Sequence, residues 1–267
     1  MSGSNCGFRL VLASMVAGCM MALAMPVCAA EASNRVVTVA AAADLKFALE
    51  EINRAFTNAN PTITVRVSYG SSGNFFTQLS SRAPFDLFLS ADMDYPRKLV
   101  EQGLAGKDTL FQYAVGRIVV WVPKDSKLDL DKLGMKALLD PTVRKIAIAN
   151  PKHAPYGRAA EAAMKKLEVY DLAKDQLVLG ENIAQTAQYV ESGAADVGIL
   201  ALSLATAPAM QDKGRYWEVP LTDYPRMDQG GVMLTWARDV EASGALRAFL
   251  LSDAGRNVLK KYGFSMP

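Results

Sequence analysis

From Arg35 onward the chain alternates strand-like and helix-like segments, and that rhythm limits the possible folds more than any other feature. Residues 36–40 form a short apolar run that suits a buried strand. Within residues 44–56 the apolar side chains Leu45, Ala48, Leu49, Ile52 and Phe56 recur at steps of three and four, which places them on one helical face. Pro61 stops that helix, and Ile63, Val65, Val67 and Tyr69 then alternate with polar neighbours as a half-buried strand does. Tyr69-Gly70-Ser71-Ser72-Gly73-Asn74 reads as a turn into a short helix through Phe76 and Leu79. A strand over 86–89 and a helix over 93–102 follow. Strand–helix–strand units of this kind build a mainly parallel, doubly wound sheet.

The pattern then repeats in kind. Residues 113–122 read as one long apolar strand. After it come strand 146–149, helix 158–167, strand 177–179, helix 183–191 and strand 197–200. A second long strand, 231–237, returns near the end, followed by helices around 246–251 and 254–261. The expected fold is α/β: two doubly wound lobes joined by two crossover strands near 111–122 and 226–236. Lobe 1 takes residues 31–112 and 228–267, and lobe 2 takes 113–227. Trp121 and Trp236 fall on the two long strands and are expected in the core.

Residues 1–30 differ from the rest. Arg9 is their one charged residue, an apolar run covers 10–25, and Pro26-Val27-Cys28-Ala29-Ala30 precedes Glu31. A basic start, an apolar centre and small residues at the exit describe a secretory signal peptide, cleaved after Ala29 or, preferably, Ala30. The run is short for a bilayer span. Val16-Ala17-Gly18-Cys19 offers a lipidation alternative, but a further apolar stretch would follow Cys19. All three cysteines lie in this leader, so the exported chain is expected to carry no disulfide and no thiolate metal site. A formal net charge of +2 is too small to argue for nucleic acid or an anionic membrane surface. An anion captured by this chain must be held by local groups.

Three junctions run from a strand through small residues into a helix start: Ala41-Ala42-Ala43-Asp44, Gly70-Ser71-Ser72-Gly73 and Pro155-Tyr156-Gly157. Gly180-Glu181-Asn182-Ile183 is a fourth. A helix start exposes unpaired N–H groups and a partial positive charge, so it favours an anion. In open α/β sheets such loops gather at the carboxyl ends of the strands. Taken singly, each is an ordinary capped turn; the argument rests on the set.

At these loops the chain resembles the periplasmic molybdate-binding proteins, members of the two-lobed (type II) periplasmic binding protein class. The resemblance is carried in order by residues 39–45, Gly70-Ser71-Ser72-Gly73, residues 83–92, residues 150–157 and the closing Tyr262-Gly263-Phe264. It implies a non-catalytic receptor that captures molybdate or tungstate and delivers it to the permease of an ABC transporter in the inner membrane. It implies a monomer in the periplasm with no cofactor beyond the captured molybdenum oxyanion and no nucleic-acid partner. The positions matching the family's oxyanion donors are Ala43 and Asp44, Ser72, Tyr156 and the backbone of Ile183. Some members use a tyrosine after the strand that here reads Gly198-Ile199-Leu200-Ala201; Ala201 replaces it, and Tyr156 matches the branch with a tyrosine in the third loop.

Asp44 departs from an all-donor site, because a carboxylate repels a dianion unless one of them is protonated. The preferred expectation turns its side chain away to cap the helix; the alternative makes it an acceptor for a protonated oxyanion such as phosphate. His153 is the one histidine and is expected at the surface. Asp86, Asp92 and Asp94 are read as caps at a strand end rather than as metal ligands. Competing functions are a receptor for sulfate or phosphate and a hydrolase using Ser72 with His153 or a carboxylate as base.

Overall fold

A computed structural model of the chain describes residues 35–267; the leader and the cleavage site lie outside them. The strands are β1 Arg35–Ala42, β2 Ile63–Gly70, β3 Leu87–Ser90, β4 Phe111–Gly116, β5 Ile118–Pro123, β6 Ile146–Ala149, β7 Leu177–Gly180, β8 Val197–Ala201, β9 Gly214–Glu218 and β10 Met227–Met233. The helices are α1 Lys46–Ala59, α2 Ser72–Ser80, α3 Asp94–Glu101, α4 Leu130–Leu133, α5 Pro155–Lys166, α6 Tyr170–Ala173, α7 Ile183–Glu191, α8 Leu202–Ala205, α9 Pro208–Gln211, α10 Val240–Leu251 and α11 Asp253–Lys261.

The strands form two five-stranded sheets, ordered β2-β1-β3-β10-β4 and β7-β6-β8-β5-β9. In the first, β1 runs parallel to β2 and β3, and β10 runs antiparallel to β3 and β4. In the second, β6 runs parallel to β7 and β8, and β5 runs antiparallel to β8 and β9. Each sheet is therefore a parallel core with antiparallel strands where the chain crosses over. This is the two-lobed α/β architecture expected from the sequence.

Three strand assignments need correction. The apolar run 113–122 is not one strand: β4 and β5 belong to different sheets, and the chain passes between them at Arg117. Gly116-Arg117 marks the break with one glycine and one charged residue, but both halves are buried and apolar, so the run reads as a single strand. The late strand begins at Met227 and ends at Met233, which leaves Trp236 beyond it, partly buried and donating Nε1–H to the Ala83 carbonyl at 3.1 Å. Trp121 is buried in β5. The edge strand β9 was not anticipated.

β1 shows how the core is divided. Its side chains alternate between two clusters: Val37, Val39 and Ala41 pack with residues of α1, α10 and α11, while Ala40 packs with Phe75, Leu79 and Phe88 on the other face. Asp86 holds the far end of this sheet. Its carboxylate, almost fully buried, accepts from Thr38 N–H and Oγ1 (2.6 Å each) and from Arg238 N–H (2.8 Å) and Nη2 (3.0 Å). Burial pushes the carboxyl up, but Arg238 and Thr38 outweigh that and hold it below the usual carboxylate range. Asp86 thus ties β1 to the chain just beyond β10. Asp86→Ala is expected to cost about 2–4 kcal/mol of unfolding free energy in urea denaturation, because several hydrogen bonds to a charged group are lost together.

Candidate functional site

All four candidate loops emerge at the carboxyl ends of parallel strands. β1 runs into a 3-10 turn, Ala43–Leu45, and then α1. β2 runs into α2, capped by Ser71, whose Oγ accepts from Asn74 N–H at 3.4 Å. β6 leads to α5, with Pro155 at its first position, where a missing N–H costs nothing. β7 leads to α7, capped by Asn182, whose Oδ1 accepts from Ala184 and Gln185 N–H at 3.0 Å each. That cap leaves the Ile183 N–H, at the first helical position, without an acceptor in its own helix.

The loops of the two lobes meet. Ala42, Ala43 and Ala91 from the first lobe share one buried cluster with Tyr156 and Ile183 from the second. Gly73 N–H donates to the His153 carbonyl at 2.8 Å, and Ser71 Oγ lies 3.0 Å from His153 Nδ1. Arg158 on α5 pairs with Asp92 at 2.5 Å, and Asn74 donates to Glu181 at 3.1 Å. Gly73 is required at this approach, since a Cβ there would stand 2.6 Å from both the His153 carbonyl and the Tyr95 hydroxyl. The run of alanines at 40–43 has the same consequence: small side chains let the second lobe reach the end of β1.

At the centre lies a buried polar network. Tyr156 donates its hydroxyl to Asp44 Oδ2 at 2.9 Å. Gln229 Nε2 donates to the same oxygen at 2.7 Å and also lies 3.1 Å from the Tyr156 hydroxyl. Ser203 Oγ donates to the Asp44 carbonyl at 2.8 Å. Asp44, Tyr156 and Gln229 are at most 2% exposed. Asp44 Oδ1 and Gln229 Oε1 are buried with no hydrogen-bond partner. Burial pushes the Asp44 carboxyl up to about 6, against the opposing pull of Gln229, Tyr156 and the N–H groups of residues 44 and 45. Burial, then the Asp44 charge, pushes the Tyr156 phenol well above its ordinary value, so it stays a donor. Gly116 makes room, because a Cβ there would stand 2.6 Å from both Gln229 Nε2 and the Tyr156 hydroxyl.

The structure therefore brings Ala43, Asp44, Tyr156 and Ile183 to one place. Ser72 joins them through the same buried region: its Oγ accepts from Ala91 N–H at 2.9 Å. The Asp44 expectation needs correction. The carboxylate does not turn away as a helix cap; it turns inward, because Tyr156 and Gln229 offer two donors in a dry site. His153 is half-buried rather than on the surface, and it meets Ser71, not Ser72, so it does not serve as a base for Ser72. Among the described residues no cluster of acidic, histidine or cysteine side chains could hold a metal ion. Asp92 does cap, accepting from Tyr95 N–H at 3.1 Å. Ala201 ends β8 with no hydroxyl to offer. Sequence reading missed Gln229, Gly116 and Ser203. The one available signal was Gln229-Gly230-Gly231 inside an apolar strand, where an uncharged polar residue beside two glycines marks a packed polar contact.

Two α/β lobes whose strand-to-helix junctions meet across the seam between them have the architecture of a solute-binding protein. Residues 37–265 match the family described as bacterial extracellular solute-binding protein, and the chain belongs to that family. It is 37% identical over 244 residues to the molybdate-binding protein ModA of Rhodobacter capsulatus, covering 91% of this chain and 92% of that one. It is 35% identical over 239 residues to ModA of Azotobacter vinelandii, covering 90% and 92%. Its fold matches the solved structure of the periplasmic molybdate-binding protein of Azotobacter vinelandii with a TM-score of 0.79 at 30% identity, over 86% of this chain and 99% of that one. Solute-binding proteins carry and release their ligand unchanged, so the chain is not an enzyme.

The buried carboxyl has a consequence for stability. Between 3.8, its ordinary value, and about 6, the folded protein holds a proton on Asp44 that the unfolded chain has released. This group therefore favours folding most below pH 4 and loses that contribution, up to about 3 kcal/mol, as the pH rises through 6. Asp44→Asn removes the dependence. Urea denaturation at pH 4 to 7 should show the variant gaining on the parent by up to about 3 kcal/mol; a constant difference across that range would contradict the burial of the charge.

Proposed function

We propose that this protein captures molybdate, or equally tungstate, in the periplasm and hands it to the permease of an ABC transporter. The names of its relatives support the ligand class. The observation that carries the reading is the meeting between the lobes of the four strand-to-helix junctions, through Gly73 with His153, Asn74 with Glu181, Asp44 with Tyr156 and the contact of Ala43–Leu45 with α7. A tetrahedral dianion needs many donors in place of its lost water, and helix starts supply them without a lysine or arginine. The donors we assign are Ser72 Oγ, the Tyr156 hydroxyl, the Ile183 N–H and the backbone N–H groups at Ala43 and Asp44. The two lobes open and close about the crossings at Arg117 and residues 219–226. The chain acts as a monomer, exported by the leader of residues 1–30 and cut after Ala30; intact mass of the periplasmic form tests that cleavage.

One observation favours a second reading. The buried Asp44 carboxylate could accept the O–H of a protonated oxyanion, as a hydrogen phosphate receptor requires. Calorimetric titration at neutral pH separates the two. We expect molybdate and tungstate to bind comparably, sulfate much more weakly because its shorter bonds leave some donors out of reach, and phosphate weakest. Tight phosphate binding without molybdate binding would replace the first reading with the second. Tyr156→Phe should weaken molybdate binding by about 1–3 kcal/mol, the cost of one hydrogen bond to a charged group. Unchanged affinity would mean that Tyr156 only lines the cleft.

A further inference from the structure

In a site that must surround a dianion with donors, the two strongest side-chain donors at its centre are spent on Asp44. Tyr156 and Gln229 both point at Oδ2. Oδ1 of the same carboxylate and Oε1 of Gln229 are buried without a hydrogen-bond partner, and only the N–H groups of residues 44 and 45 lie near enough to favour the charged carboxylate. The region is short of protons rather than short of acceptors. An incoming dianion would add more acceptors and a second like charge in a dry environment, where repulsion is strong. One added proton removes both difficulties, because it neutralises Asp44 and turns an acceptor into an O–H donor.

We propose that Asp44 is a proton-linked ligand residue: the protein binds its oxyanion together with one proton, which lies on Asp44 and is shared with an oxygen of the ligand. This rests on the oxyanion reading above. The balance is one carboxylate, one dianion and one proton from solvent giving a neutral carboxyl hydrogen-bonded to the bound dianion, with no other bond made or broken.

The other acid in this region is Asp92, which like Asp44 acts on the Tyr113 phenol and is pushed up by burial, but Asp92 already accepts from Arg158, Tyr95 N–H and Ser90 Oγ, whereas Asp44 Oδ1 has no hydrogen-bond partner. α5 presents Tyr156, whose phenol is already protonated and stays so. β10 presents the amide of Gln229. β4 presents Tyr113, buried, with its hydroxyl donated to the Ser90 carbonyl at 2.9 Å. α8 presents Ser203, and the buried residues of α7 are Ile183, Thr186, Ala187 and Val190. On α1 Lys46 holds its ammonium over the Phe47 ring, 5.5 Å from the centroid. No cation is among the main influences on the Asp44 carboxyl, which burial has already moved to about 6, within reach of a proton at neutral pH once a dianion arrives.

Isothermal calorimetry with molybdate at pH 7.5, in three buffers of different protonation enthalpy, reads the proton directly. The parent should take up close to one proton per molybdate, and its Kd should rise about tenfold per pH unit above pH 7. Asp44→Asn should take up none, show a flat Kd and bind more tightly than the parent at pH 8. Molybdate binding by the parent with no proton uptake would overturn this proposal and leave the function standing. Uptake that persists in Asp44→Asn would overturn it as well. No molybdate binding at any pH would overturn both. Infrared difference spectra of the parent give a second reading that needs no variant: a protonated-carboxyl band must appear when molybdate is added, and its absence contradicts the proposal.

Discussion

A single buried carboxylate links the two sheets. Asp44 leaves the end of β1, and the groups that satisfy it come from both lobes: Tyr156 on α5 from the second, and Gln229 on β10, a strand of the same sheet as β1. A charged group in a dry site needs hydrogen bonds to stay there, and removing one partner costs more than the bond itself is worth. The network therefore fixes where the second lobe sits against the first. It also engages the hydroxyl of Tyr156, the donor that the proposed function assigns to the oxyanion.

The surrounding sequence is shaped by that approach. Ala40 to Ala43 keep the end of β1 slim, and each is nearly fully buried. Gly73 and Gly116 stand where any side chain would strike the partner lobe or the network. Between β10 and β4 the pairing register shifts at Gln229 and Gly230, leaving Tyr113 as an extra residue in β4. Bulges of this kind re-aim side chains, and here the irregularity falls beside the residue whose amide must reach Asp44. The rim contacts, Arg158 with Asp92 and Asn74 with Glu181, are more exposed and contribute less.

Much of the fold was legible because its signals are local. Leu45, Ala48, Leu49, Ile52 and Phe56 mark one face of α1 by spacing alone, and the small-residue junctions before α2, α5 and α7 mark the ends of parallel strands. The break between β4 and β5 was marked by Gly116-Arg117, but two buried strands in series look like one long one, and a single charged residue did not outweigh that pattern. The positions of the site residues were recoverable from the loops and the family resemblance. What Asp44 does was not, because its partners lie 112 and 185 residues away in sequence. Capping is a local explanation for an aspartate at a helix start; the inward turn is set by tertiary partners that no local pattern announces.

The central claim is that loops from both lobes enclose one oxyanion at the point where Asp44, Tyr156 and Gln229 now meet. Anomalous diffraction from crystals grown with tungstate tests it most directly, because the tungsten position is read without assumptions about the protein. The account predicts one tungsten site within hydrogen-bonding reach, through its oxygens, of Ser72 Oγ, the Tyr156 hydroxyl and the Ile183 N–H. A tungsten atom elsewhere, or one bound while the Tyr156 hydroxyl still points only at Asp44, would contradict it.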